Sequence, residues 1–366
     1  MKNHNRSNRI IRWALLSALF AAAACSKESA GEWPQEPQEE TVQLRITVDR
    51  EAATATRAAG DNTISDGRKV DMLVCAVYDS SGKLLRQYGD AYVDEDNEDS
   101  NRGESNGKGQ IVFRDIEWPV VLDLTLVRSQ TYKLVFWAQN SACKAYDTDD
   151  LKAVKIDYSA PNNRNNDESR DAFCKTEEFT AVGHTSSERF NRNITLRRPF
   201  AQINVGSSLE DFAAAREQGY EIVESQITIL DAATQLNVVD NTVDVFDDEG
   251  NYSTPAEPVT FAFAPLAAFS GADPGQEEFL YVDVEQDKQL TAHKYLSMCY
   301  VLAADKREGT STYATYAKLA ISFKYANGET HTLSYEDESL GLQQVPMQRN
   351  WCTNIVFGLN QLLPQK

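Results

Sequence analysis

Residues 317–335 read AKLAISFKYANGETHTLSY. Leu319, Ile321, Phe323 and Tyr325 alternate with small or polar residues, and Asn327-Gly328 separates this run from a second alternating one. A period of two places every second side chain on one face of a strand. An Asn-Gly pair between alternating runs is the strongest short-range signal for a hairpin. A chain built this way must bury one face of a sheet, and the pattern recurs along most of its length.

The first such run is 42–48, VQLRITV, with Val42, Leu44, Ile46 and Val48 on one face. Residues 69–88, KVDMLVCAVYDSSGKLLRQY, hold two strand-like runs around Ser80-Ser81-Gly82 and predict a hairpin. QIVFRDIEW, VVLDLTLV and TYKLVFWAQN follow. In the last of these Leu134, Phe136 and Ala138 face one way and Val135 and Trp137 the other, as in a central strand covered on both sides. Strand runs resume at ESQITIL, NTVDVF, VTFAFAPL, EFLYVDVE and YLSMCYVLA. Residues 91–109 and 160–171 are polar and rich in turn formers, and read as exposed loops. Pro199, inside FNRNITLRRPFAQINVG, cannot donate to a ladder, so the chain is expected to change sheet there.

One helix is predicted, at 207–219, SSLEDFAAAREQG. Ser208 and Asp211 form a capping pattern, Gly219 suits the stop, and Leu209, Phe212 and Ala213 fall on one stripe. Many short strands with one short helix make the expected fold class all-β, two tandem β-sandwich domains. The divisions are a leader over 1–24, a tether over 25–40, an N-terminal sandwich over 41–198 and a C-terminal sandwich over 199–366.

The leader has its own signature. Lys2, Arg6, Arg9 and Arg12 precede a short apolar block, WALLSALFAAAA, which ends at Cys25. A basic start, an apolar run and small residues at its end define a secretory signal. The block is shorter than the roughly 20 residues needed to span a bilayer. Residues 26–40, SKESAGEWPQEPQEE, hold two prolines and five glutamates and cannot bury enough surface to fold alone.

The net charge is −19, and loss of the leader's four bases would take it to about −23. A phosphate-binding surface needs dense Lys and Arg, so nucleic acid is excluded as a partner. Six cysteines occur, with no C-x-x-C; Cys75 and Cys299 sit inside apolar runs and read as small buried hydrophobes. The acidic stretch from Asp94 lacks the glycine an EF-hand needs at its sixth position, where Asp99 stands. No H-E-x-x-H, G-x-S-x-G or phosphate loop is present. The expectation is therefore no enzyme, no cofactor and no metal.

Several segments resemble the fimbrillin-like lipoproteins of Gram-negative gut and oral anaerobes, the subunits of type V pili. Ala22-Ala23-Ala24-Cys25 resembles a lipobox. Thr56-Arg57-Ala58 follows the first strand. TYKLVFWAQN resembles the family's Tyr-to-Trp strand, and LRRPFAQINV its L-x-R-x-x-A junction at Leu196, Arg198 and Ala201. RNWCTNIVFGLN resembles the R-N-W-x-T-N-I ending of one branch. The resemblance implies two transthyretin-like sandwiches and an outer-membrane, cell-surface location anchored in lipid through Cys25. It also implies cleavage after an Arg or Lys in the N-terminal region, at Arg57 with Arg50 as a competing site, that removes the first strand, Val42, Leu44, Ile46 and Val48 with it. The strand of a homologous pilus subunit then fills the groove. Ile355, Phe357 and Leu359 alternate as a candidate donor strand; equally, 354–363 completes its own sandwich. Two function classes stay open: a structural or adhesive fimbrial subunit, and a monomeric lipid-anchored surface module that binds glycan or host protein. Trp118, Tyr158 and Tyr252 are the candidate aromatics for the second.

Overall fold

Every residue that alternates over 42–48 finds its apolar partner across a sheet. The computed structural model describes residues 38–49, 67, 69–92, 102–158, 170–181, 190–246, 252–266, 278–281, 291–303, 315–350 and 352–364. The chain divides into Met1–Gln38, of which only Gln38 is among the described residues, and Glu39–Lys366, one compact unit. The latter is all-β.

The first sandwich has two sheets. One is the three-stranded order β10-β1-β5, made of β1 (Glu39–Val48), β5 (Val120–Val127) and β10 (Phe190–Leu196). The other is β3-β4-β2-β6-β9: β2 (Met72–Asp79), β3 (Gly103–Ser105), β4 (Gln110–Phe113), β6 (Thr131–Gln139) and β9 (Ala172–Thr180). Val42, Leu44 and Ile46 from one sheet meet Leu73, Cys75, Leu134, Phe136 and Phe173 from the other in a single core.

The second sandwich faces β18-β19-β11-β24 onto β16-β12-β21-β22. The first of these sheets contains β11 (Phe200–Ser208), β18 (Glu278–Tyr281), β19 (Thr291–Leu302) and β24 (Cys352–Phe357). The second contains β12 (Ile222–Ala233), β16 (Ala256–Thr260), β21 (Leu319–Tyr325) and β22 (Thr330–Leu333), with β17 (Ala264–Pro265) also on β12. Leu319, Ile321, Phe323 and Tyr325 all point into the core, as their spacing predicts. Lys324 pairs with Thr330 across the Asn327-Gly328 turn, where Gly328 takes φ +87°. Two short pairs, β14 (Val245–Phe246) with β15 (Tyr252–Ser253) and β20 (Thr315–Ala317) with β23 (Val345–Met347), complete the strands of this half.

The two halves share more than a linker. Val74, Ala76, Val135 and Trp137, on the outer face of the five-stranded sheet, belong to the same core as Leu236, Val238 and Val239. This is why β6 is apolar on both faces. A small sheet crosses the divide: β8 (Val154–Ile156) pairs with β7 (Tyr146–Asp147) and with β13 (Gln235–Leu236). Lys133 reaches Asp240 at 2.7 Å, and the Tyr158 hydroxyl donates to the Ala233 carbonyl at 2.9 Å.

Three local expectations need correction. The second arm of the 69–88 hairpin is a single bridge, Tyr78 to Leu84, after which the chain turns into helix α1 (Arg86–Asp90). Leu85, Tyr88 and Tyr92 pack on the first core, and their spacing of three and four is helical. Gly89 permits this turn, because a Cβ there would lie 2.1 Å from the Gly109 backbone. Residues 103–105, expected in an exposed loop, form β3 against β4. Helix α2 (Leu209–Glu217) is capped by Ser208, whose hydroxyl accepts from the Asp211 N–H at 3.0 Å. Its buried residue is Ala215, however, while Leu209 is 41% exposed and Ala213 is exposed too. A cap is a local interaction, whereas the face a short helix buries depends on what it lands against.

Burial raises the pKa of several phenols, including Tyr78, Tyr158 and Tyr325, the last to about 12. These groups ionise more readily in the unfolded chain than in the fold. Their contribution is therefore complete below the ordinary tyrosine value near 10 and is lost as pH climbs from there toward the folded values. The urea midpoint is expected to hold between pH 8 and pH 9 and to fall steeply between about pH 10 and 11.5. A flat profile across that window would refute the assignment.

Candidate functional site

The first strand is the middle strand of its sheet. β1 runs parallel to β10, with Val42 opposite Phe190 and Ile46 opposite Ile194. It runs antiparallel to β5, with Leu44 opposite Leu122 and Ile46 opposite Val120. Val42, Leu44 and Ile46 are wholly buried and Val48 nearly so. On the solvent side Thr41 and Thr125 share a hydroxyl hydrogen bond at 3.2 Å. In this sheet β5 and β10 have β1 as their shared neighbour. Withdrawing it opens a slot one strand wide, edged by two sets of unpaired backbone groups and floored by apolar side chains. Refilling four pockets of this kind stabilises by about 1.5–3 kcal/mol each.

Cys25 and Arg57, the expected lipidation and cleavage positions, lie outside the described residues, as does Ala58. At the other end, 352–357 is β24, an edge strand parallel to β11, with Val205 opposite Ile355. The Asn204 side-chain amide donates to Asn354 Oδ1 at 3.0 Å, and the Ser207 hydroxyl donates to the Phe357 carbonyl at 2.6 Å. Alternation stops at Phe357. Gly358 leads into a short helix α3 (Leu359–Leu362), so Leu359 leaves the phase of Ile355 and Phe357. Phe357 and Leu362 are buried, and the Tyr325 hydroxyl donates to the Leu362 carbonyl. In this structure the segment completes its own sandwich.

Two of the three candidate aromatics, Tyr158 and Trp118, pack. Tyr158 is buried, and its oxygen also accepts the Leu302 N–H at 3.1 Å. Trp118 rests against the first core and donates its indole N–H to the Val70 carbonyl at 2.8 Å. The side chain of Tyr252 lies outside the described residues. Cys75, Cys143, Cys174 and Cys299 are buried, and burial pushes the Cys75 and Cys299 thiols well above their ordinary range. Among the described residues no His, Cys, Asp and Glu cluster is placed to hold a metal, and no helix is long and apolar enough to cross a membrane.

A second feature forms where the chain passes from β10 to β11. Arg198, at that crossing, is buried and makes a two-pronged ion pair with buried Asp171: Nε to Oδ1 at 2.7 Å and Nη2 to Oδ2 at 2.8 Å. Its guanidinium stacks over the Phe173 ring at 4.5 Å. Burial by itself would lower the arginine pKa; the Asp171 carboxylate reverses this and holds it above its ordinary value. Arg349, from the segment before β24, is also buried and donates to the Ala303 carbonyl at 2.5 Å and to Asn241 Oδ1. Between them lies a polar cleft of about 590 Å³. LRRPFAQINV and RNWCTNIVFGLN, some 150 residues apart, thus meet at one place. Sequence reasoning singled out both segments, but not the cleft; the available signal was a pair of adjacent bases in one and an Arg-Asn step in the other.

The architecture defines an all-β protein with a buried central strand near the start of its described residues and a polar cleft where β10 passes to β11. The chain belongs to DUF6562, a family of unknown function whose model matches residues 34–358. No curated protein matches it. Solved structures similar to it include a candidate cell adhesion protein from Parabacteroides distasonis, at 13% identity and TM-score 0.40 over 90% of each chain. A candidate adhesin from Bacteroides ovatus aligns at 11% identity and TM-score 0.39, over 87% of this chain and 89% of that one. The fimbrial anchor protein Mfa2 from Porphyromonas gingivalis aligns at 9% identity and TM-score 0.36, over 81% and 82%.

Proposed function

We propose that this chain is a lipid-anchored cell-surface protein that serves as a structural or adhesive fimbrial subunit and accepts a partner's strand in place of its own β1. The observation that carries this reading is the position of β1: first in the folded chain, central in its sheet, and lined with Val42, Leu44 and Ile46. Strand addition needs such a slot, where main-chain hydrogen bonds supply affinity and alternate side chains supply specificity. Cleavage after Arg57, in an Ala/Thr/Gly-rich stretch, would release β1 together with the lipid on Cys25.

A second reading is supported by the seated C-terminal strand. Phe357 and Leu362 are buried in their own core, so 354–363 becomes a donor only by giving up that burial. A chain that keeps both ends at home is a monomeric surface module binding glycan or host protein.

N-terminal analysis of protein recovered from the cell surface separates the two. Polymerisation predicts a free Ala58 in high-molecular-weight ladders, and the loss of those ladders in Arg57→Ala. Acylated Cys25 on monomer alone overturns strand exchange and leaves the second reading. Labelled palmitate that never attaches to the chain removes the anchor from both.

A further inference from the structure

We infer that the cleft between the two sandwiches is a binding site for an acidic saccharide, a sugar bearing carboxylate or sulfate. The reasoning begins with charge. The chain has 55 acidic and 36 basic residues. Yet the cleft is lined by Lys175, Arg197, Arg198 and Arg349, with no Asp or Glu lining it among the described residues. The acids that touch these bases stand behind the wall: Asp171 on Arg198, Glu177 on Lys175 at 3.1 Å, and Asp49 on Arg197 at 3.7 Å. They orient the cations from outside the lining. Arg198 is committed to Asp171. Arg197 is 63% exposed and meets Asp49 only at long range, so it has reach to spare.

The rest of the wall is amides and hydroxyls: Asn193, Asn241 and Asn350 with Thr176 and Thr195. Pro199 and Cys174 are the apolar members, and no aromatic ring lines it among the described residues. Such a surface has little to offer an apolar side chain and much to offer a hydroxylated, charged ligand. The volume, about 590 Å³, falls inside the range of small-molecule sites.

The backbone is specialised at the same place. Four non-glycine residues take positive φ among the described residues, and two of them, Asn241 at 55° and Asn350 at 59°, line this cleft. Left-handed backbone at a non-glycine residue costs free energy and persists where the surroundings hold it, often at ligand sites. A network that served only to join the halves would close the space between its charges; here a cavity stays open beside them. The site gives the monomeric-module reading a location, and it is independent of whether β1 is exchanged.

The test is calorimetric titration of the full folded chain with three oligosaccharides of matched length: a heparin-derived sulfated tetrasaccharide, a hyaluronan tetrasaccharide and neutral maltotetraose. A Glu-rich hexapeptide serves as a fourth probe. One or both acidic sugars are expected to bind, the better of them naming sulfate or carboxylate, with maltotetraose at least tenfold weaker. Arg197→Glu and Lys175→Glu are each expected to weaken binding by about tenfold or more while the chain keeps a cooperative thermal transition, lowered by the new contact with Asp49 or Glu177. Arg216→Glu, the same charge change on exposed α2, should leave binding as it is. Arg349→Lys keeps the charge but not the fork, and should weaken binding if the protein still folds. Binding of neither acidic sugar overturns the proposal. So does equal binding of maltotetraose, tighter binding of the hexapeptide, or wild-type affinity in both Arg197→Glu and Lys175→Glu. Any of these outcomes leaves strand exchange, read from the N-terminus, untouched.

Discussion

Leu44→Asp is expected to leave the protein without a cooperative thermal transition. Leu44 is wholly buried at the centre of β1, between Leu122 on β5 and the strand β10. Removing its side chain costs about 2–5 kcal/mol as Leu→Ala. A carboxylate in its place enters a core of Val42, Ile46, Phe136 and Phe173; Arg192, opposite on β10, is already paired with Glu177, so burying the new charge adds several kcal/mol more. Together these approach the roughly 5–15 kcal/mol that holds an ordinary fold together. The damage does not stop at the first sandwich, because Val74 and Trp137 on the far face of the same five-stranded sheet belong to the second core. Loss of near-UV circular dichroism should therefore include signals from both halves. Arg45→Asp, one residue along on the exposed face, should move the midpoint by about 0.5 kcal/mol or less. If Leu44→Asp melts within a few degrees of the parent, β1 is not the buried central strand described, and strand exchange loses its basis.

Asp171→Ala is expected to destabilise by about 3–5 kcal/mol, because it strands the buried guanidinium of Arg198. Both side chains are 3% exposed and joined by two short hydrogen bonds. The partner elements are β9 and the crossing between β10 and β11, so the pair fastens the point where the chain changes sheet. Replacing both partners, Asp171→Leu with Arg198→Met, should recover most of the loss, since an apolar pair carries no desolvation penalty. The exposed Arg216–Glu221 pair is the control: Arg216→Ala there removes an ion pair whose members are 71% and 49% exposed, worth about 0.5 kcal/mol. Urea midpoints of the three variants against the parent decide the matter. Equal small losses at both pairs would show that the junction is held by packing and not by this ion pair.

The stretches that were legible share one property: their fate depends on period alone. Val42, Leu44 and Ile46, and Leu319 through Tyr325, went where alternation sends them, and Asn327-Gly328 made its turn. Pro199 marked the change of sheet because a missing N–H acts wherever it is placed. The misreadings fall where a short segment is decided by its neighbours. Leu85, Tyr88 and Tyr92 carried a helical spacing too brief to stand out beside a strand and a turn. Leu209 and Ala213 lay on a plausible apolar stripe, but the surface beneath α2 admits Ala215 instead. Leu359 continued an alternating series on paper and left it at Gly358, where the chain had core to reach with Leu362.

By itself the sequence determined that this chain builds sheets, that its first strand has one apolar face, and that Cys75 and Cys299 belong inside. These follow from side-chain chemistry repeating at a fixed spacing, which needs no knowledge of what lies opposite. Only the tertiary structure decided that β1 is central and not an edge, that Trp137 faces a second core, and that Arg197, Arg349 and Lys175 line a common cleft. Strand order and the meeting of residues far apart in the chain are set by long-range packing, and burial free energy rewards contact without encoding in any local stretch which partner will provide it.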